Sequence, residues 1–173
     1  VVSGNTLVGE TSRWAMDVGL DLTRCSFCIC SGNTVSDIWG GNGILLIDVE
    51  ESVISNNVIA GCSSNTSSAN NYALNNSSGI ALTGSINNII CGNTIRMTSF
   101  NGVNFQAWGI KIEQTQFDPS TNNRIIDNDL RGAGHGANYL DNSITPTDLS
   151  LGIKDTGFYN YFRSLTEKSG DLP

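Results

Sequence analysis

Ser78-Gly79-Ile80-Ala81-Leu82, followed after a fixed interval by Ile90-Cys91-Gly92-Asn93-Thr94-Ile95, decides the fold, because both phrases recur in phase along the chain. The second phrase has relatives at Val2-x-x-Asn5-x-Leu7, Cys30-x-x-Asn33-x-Val35, Ile54-x-x-Asn57-x-Ile59 and Ile125-x-x-Asn128-x-Leu130. Each places an apolar residue three before the Asn and another two after it. The residue before the Asn is Gly4, Gly32, Asn56, Gly92 or Asp127, types that tolerate left-handed backbone angles. Each phrase therefore reads as strand, sharp bend, strand.

The first phrase recurs as Gly19-Leu20-x-Leu22, Gly43-Ile44-x-Leu46 and Gly109-Ile110-x-Ile112. From its Gly to the next repeat Asn the gap is 14, 14, 14 and 19 residues, the last carrying the insertion Gln116-Phe117-Asp118-Pro119-Ser120. From each Asn to the next Gly it is 14, 10, 22 and 16. One part of the unit is thus nearly constant and the other free. A unit this small cannot bury its own apolar face, whereas stacked copies share one continuous core. Alternation within the phrases predicts strands with one face inward, and Gly and Asn every few residues argue against helices. The prediction is an all-β, single-stranded parallel β-helix of about four to five rungs, with the repeat Asn residues Asn5, Asn33, Asn57, Asn93 and Asn128 stacked as an internal structural ladder.

Composition agrees. The 173 residues include 21 Asn, 20 Ser and 19 Gly, and only 14% are charged, against about 25% in an average globular chain. The net charge of −7 argues against a nucleic-acid partner, and no apolar run is long enough to insert in a membrane. The start Val1-Val2-Ser3-Gly4-Asn5 lacks both Met and a signal peptide, which points to a processed or excised chain. Five Cys (Cys25, Cys28, Cys30, Cys62, Cys91) and one His, His135, make a poor disulfide framework or zinc site. Cys25-x-x-Cys28 has the spacing of a redox or metal pair but no second pair follows, so the cysteines read first as small buried hydrophobes. No metal or cofactor is expected.

The GIxLxxSxxNxIxxNxI texture of residues 79–95 resembles the right-handed parallel β-helices of the pectate-lyase-like superfamily, which includes phage tailspikes and appendages, polysaccharide lyases and epimerases. The handedness comes from that resemblance, which covers residues 1–131. Residues 132–173 read as an irregular segment covering the last rung or leading to a further domain, since the place two after Ile153 is Asp155. The resemblance implies that ligands lie along the outer face of the first sheet, at the second and fourth positions after each Gly. These are Asp21 and Thr23, Leu45 and Ile47, Ala81 and Thr83, Lys111 and Glu113. Asp21, Lys111 and Glu113 are the catalytic candidates, although Asp21 and Lys111 lie three rungs apart, roughly 14 Å. Carboxylate glycosidases need a pair roughly 5 to 9.5 Å apart. Arg24 and Asp48 fit a structural ion pair one rung apart. Leu45, Ile47 and Ala81 form an apolar patch awaiting cover from the chain's own loops or a neighbouring copy.

The free-length segments hold Trp14, Trp39, Tyr72, Phe100, Phe105 and Trp108. On loops along one side of the solenoid, Trp14, Trp39, Phe105 and Trp108 are candidates for stacking on sugar rings, or for pinning loops to the barrel. Three readings follow. The first is a tailspike or appendage segment that binds host surface polysaccharide, a homotrimer by resemblance, located on a virion tail or outside the cell. The second is a lyase, glycoside hydrolase or epimerase of the same superfamily. The third is a non-catalytic bacterial adhesin.

Overall fold

The computed structural model describes residues 1–9, 18–38, 41–62, 78–96, 99–100, 103–104, 108–113, 120–130, 153–155 and 161–164. The chain opens with β1 (Val2–Ser3) and β2 (Thr6–Val8). The next turn supplies β3 (Val18–Thr23), β4 (Ile29–Ser31) and β5 (Thr34–Ser36). The following one supplies β6 (Asn42–Ile47), β7 (Val53–Ser55) and β8 (Val58–Ala60). Then come β9 (Ser78–Thr83), β10 (Ile89–Cys91) and β11 (Thr94–Arg96). A short antiparallel hairpin, β12 (Ser99–Phe100) with β13 (Val103–Asn104), precedes β14 (Trp108–Glu113). The last strands are β15 (Arg124–Asn128), β16 (Ile153–Asp155) and β17 (Tyr161–Ser164).

These strands stack into three parallel sheets: β3-β6-β9-β14-β16, β1-β4-β7-β10-β15-β17 and β2-β5-β8-β11. Through β11, sequence-adjacent strands lie in different sheets and every third strand pairs, which is a parallel β-helix. The repeat phrases set the register: Leu20 pairs with Ile44, Ile44 with Ile80, and Ile80 with Ile110. Cys30, Ile54, Ile90 and Ile125 form a second row, and Val35, Ile59 and Ile95 a third. All of these except Leu20 are buried in one core that runs the length of the stack. Each buried Ile or Leu contributes about 1.5–3 kcal/mol, which no single rung could gather alone.

The GIxL glycine is required by close approach, not by backbone angle. A Cβ on Gly43 would lie 2.5 Å from Ile59 Cγ2 and 2.7 Å from the Gly79 carbonyl. One on Gly79 would collide with Ile95 Cγ2 and come within 2.8 Å of the Gly109 carbonyl. Left-handed residues stack at the bends instead: Gly4, Gly32, Asn56, Gly92 and Asp127 before the repeat Asn, and Phe27, Glu51, Asn87 and Asn122 one bend earlier. Phe27 at φ 55° is costly for a side chain of that size, and the residue is 76% exposed.

Within residues 132–173, expected to leave the solenoid, β16 extends the first sheet (Ile110 to Ile153) and β17 the second (Ile125 to Phe162). Both add in parallel register. Trp108 corrects a second expectation: it is the opening residue of β14, paired with Ser78, and does not sit on a loop. The first-sheet strands that carry the repeat Gly begin one residue before it, at Val18, Asn42, Ser78 and Trp108. Phe100 likewise lies in β12.

Candidate functional site

Three places gather polar or reactive side chains. On the outer face of the first sheet, Asp21, Leu45, Ala81 and Lys111 form one row, with Thr23, Ile47, Thr83 and Glu113 beside them. Lys111 Nζ meets Glu113 Oε2 at 3.2 Å, with the lysine side chain only 5% exposed. A buried ammonium is stable only when paired, so this is first a packing device. Asp21 is exposed, accepts a hydrogen bond from Thr23 Oγ1 at 2.7 Å, and stands three rungs from Lys111. The structure therefore joins Lys111 to Glu113 and leaves Asp21 outside. The apolar patch is less open than expected. Ala81 is 1% exposed within the single chain, and Leu45 and Ile47 are half-buried. Arg24 and Asp48 do pair, at 3.7 Å, but Arg24 is 83% exposed, so the contact is worth little.

Trp14, Trp39, Phe105 and His135 lie outside the described residues, as does the side chain of Trp108.

The bends carry the polar interior. Asn5 Nδ2 donates to Asn33 Oδ1, Asn33 to Asn57, Asn57 to Asn93 and Asn93 to Asn128, each at 2.9 Å. Each acceptor oxygen also takes the backbone N–H of the preceding ladder residue, at 2.9–3.0 Å. The second amide proton reaches a carbonyl of the rung before, as from Asn57 to Cys30 at 3.1 Å. An interior Asn here satisfies two donors and two acceptors that no apolar residue could, as Asn57 does. A parallel ladder escaped the sequence reading. Asn88 donates to Asn123 Oδ1 at 3.0 Å, Ser52 N donates to Asn88 Oδ1 at 2.9 Å, and Cys28 N to Ser52 Oγ at 2.8 Å. A third runs from Val49 N to Ser85 Oγ and from Ser85 N to Ser120 Oγ. Their signal was the Ser and first Asn of the GIxLxxSxxNxIxxNxI texture. Sequence reasoning also passed over Arg96, whose guanidinium pairs with Asp129 and donates to the Ile95 and Asp129 carbonyls at 2.9 Å.

Cysteines end the second and third ladders. In register, Cys28 takes the place of Ser52, Asn88 and Asn123, and Cys25 that of Val49, Ser85 and Ser120. Both thiols are half-buried against the core. Burial, then a hydrogen bond to Cys28, pushes the Cys25 thiol up to about 11. The two residues flank the left-handed bend at Phe27. Cys28 Sγ also donates to the Ser26 carbonyl at 3.7 Å. The reading of all five cysteines as buried hydrophobes holds for Cys30 and Cys62 and fails for Cys25, Cys28 and Cys91, which keep solvent contact. Cys25, Cys28, Cys30 and Cys91 are free thiols.

With rungs, ladders and register in place, comparison with known families decides the assignment: residues 1–164 match the family described as NosD, periplasmic copper-binding protein. The chain belongs to the NosD family. With that membership goes the right-handed parallel β-helix of the pectate-lyase-like superfamily. The NosD match spans all three sheets, including β16 and β17. It gives no support to a phage tailspike or a virion location, since the family is described as periplasmic. No curated protein and no solved structure matches this chain significantly.

Proposed function

We propose that this NosD-family chain is a periplasmic copper-binding β-helix whose rungs serve as a rigid, non-catalytic scaffold. The family match over residues 1–164 carries this reading. Copper demands a donor set, and the described residues limit the choice. No three His, Cys, Asp or Glu side chains among them converge on a metal position, which argues against a three- or four-ligand site there. What they do hold is thiols, among them the partly exposed Cys25 and Cys28 on one bend, both packed against the core. Thiolates select Cu(I) among the biological metals, so the residues present fit the reduced ion. When bound, it would supply a soft, redox-active centre.

The non-catalytic part of the proposal rests on the first sheet. Its outer face presents Asp21 and Glu113 on rungs far beyond the roughly 5 to 9.5 Å that a carboxylate pair requires, with Lys111 committed to Glu113.

The test is metal retention by the whole chain. Reduced protein is incubated anaerobically with Cu(I), and separately with Cu(II) and Zn(II), then desalted and its metal content measured. Retention of about one Cu(I) per chain with little Zn(II) supports the reading, given the preference of thiolates. Protein that emerges free of copper in both oxidation states overturns it. A second arm addresses the spike expected from the sequence. Acidic and neutral capsule polysaccharides are mixed with the same sample, and binding, product size and the protein's mass in solution are followed. Glycan binding by a trimer that retains no copper would replace the present reading.

A further inference from the structure

Independently of any bound metal, we propose that the outer face of the second sheet docks a second copy of this chain. The two copies are related by a two-fold axis that runs along the strands between β7 and β10. Four rungs stack a left-handed residue at the bend before this sheet: Phe27, Glu51, Asn87 and Asn122, at φ 55°, 48°, 57° and 55°. Asparagine tolerates that conformation, whereas a side chain with the bulk of Phe strains it. Burial gives no return for the strain, because Phe27 is 76% exposed. Ile29, two residues on, is 43% exposed. It heads a row on the outer face, Ile29, Val53, Ile89 and Arg124, held in parallel register, with Val53 and Ile89 half-buried. An apolar stripe that ends in an exposed aromatic on a strained bend is what a docked partner explains.

Charge identifies the partner and its direction. At the Phe27 end, Glu50 and Glu51 are exposed and join no ion pair among the described residues, while Arg24 already faces Asp48 at 3.7 Å. At the other end Arg124 is exposed and is equally without an ion pair among them. Phe27 and Arg124 stand three rungs apart, roughly 14 Å, so one chain cannot bring its own two ends together. Rotation by 180° about an axis along the strands turns the face over and reverses the order of rungs. Val53 then lies on the partner's Ile89. Arg124 lies on the partner's Ile29, beside the partner's Phe27 and the partner's Glu51, and symmetry repeats the contact. An Arg set against an aromatic with a carboxylate next to it gains a cation–π contact and an ion pair together. A two-fold axis along the stack would instead set Arg124 against its own copy and glutamate against glutamate, and like charges repel. Four short strands make a small face, so the dimer is weak and dissociates on dilution.

Sedimentation equilibrium of the reduced, metal-free chain over a dilution series is the test. The average mass is expected to rise with concentration from the 18.4 kDa of one chain toward twice that value. Three variants locate the face. Phe27→Asn installs the residue that the same bend carries at Asn87 and Asn122. It should weaken association by about tenfold or more, as loss of an aromatic anchor does, and raise the melting temperature by relieving the bend. A merely structural Phe27 would not move the two readouts in opposite directions. Arg124→Glu should weaken association comparably, and combining it with Glu51→Arg should restore most of it, since the pair is rebuilt with its charges exchanged. Melting curves confirm that all variants fold. A chain that keeps the mass of one copy at every concentration overturns the proposal, and so does a trimer. A dimer that Phe27→Asn and Arg124→Glu both leave intact docks through another face and overturns it too. A charge exchange that restores nothing overturns the two-fold alignment.

Discussion

Asn57→Ala is the sharpest probe of how this solenoid is held together. Asn57 is fully buried at the middle of the Asn ladder. Its Oδ1 accepts both the backbone N–H and the side-chain amide of Asn33, each at 2.9 Å. Its own amide donates to Asn93 Oδ1 at 2.9 Å and to the Cys30 carbonyl at 3.1 Å. Alanine leaves two buried donors on Asn33 without an acceptor, and each buried orphan costs about 1–3 kcal/mol. Asn93 Oδ1 keeps the backbone N–H of residue 57 at 3.0 Å, so the acceptor side is partly protected. A water molecule entering the vacated polar space recovers some of the loss. The net expectation is about 4 kcal/mol, which in a chain of this size lowers the melting temperature by about 8–16 °C. Asn5→Ala provides the internal comparison. Asn5 is exposed and only donates, to Asn33 Oδ1 and to the Ser3 carbonyl, so its removal orphans no buried donor and costs about 1 kcal/mol or less. Both are measured by urea unfolding followed by circular dichroism. Equal destabilisation of the two variants, within about 1 kcal/mol, would refute the argument that burial of the ladder sets its worth.

Gly79→Ala places a methyl group against Ile95 and the Gly109 carbonyl. Backbone on the next rung cannot yield as a side chain can, so the cost is about 3 kcal/mol, and an unchanged melting temperature would disprove the close-approach argument. Glu113→Gln removes the charged partner of the buried Lys111 and should cost about 1–2 kcal/mol, less than for a fully buried pair because Glu113 keeps solvent contact. Adding Lys111→Met should recover much of that loss, and its failure to do so in a thermal melt would dismiss the pair. Burial raises the Cys30 thiol from about 9 to about 11. The folded state therefore holds its proton more tightly, and the stability this contributes is complete below pH 9 and lost as pH rises through 11. The loss reaches about 3 kcal/mol. Unfolding free energy under reducing conditions should fall over that window in the native chain and fall less in Cys30→Ala.

The fold was legible because its cause is periodic. In-phase Gly and Asn phrases report which residues stack, and pairing of Cys30 with Ile54, Ile54 with Ile90 and Ile90 with Ile125 follows from counting alone. The Asn at each bend and the left-handed residue before it were readable for the same reason. The second ladder was readable in principle, but only Asn88 and Asn123 are asparagine there, while Ser52 and Cys28 share the place by geometry and not by residue type. The candidate site was harder. Cys25-x-x-Cys28 is visible in the sequence as a spacing that many structures use for packing.

Counting residues was enough to establish repeat length, inward faces and the ladder, because each of these depends on neighbours one rung away in a fixed register. Which atoms meet across the bend depends on side-chain direction and burial, and only the folded chain decides that. It hides Ala81 and Lys111 on a face the pattern left open, and ties Lys111 to Glu113. It also places Cys28 at the end of the ladder that runs through Ser52, Asn88 and Asn123. Family membership came from comparison along residues 1–164. Which polar groups share a ladder came from three-dimensional register, because a buried donor is satisfied only when the backbone brings an acceptor within reach.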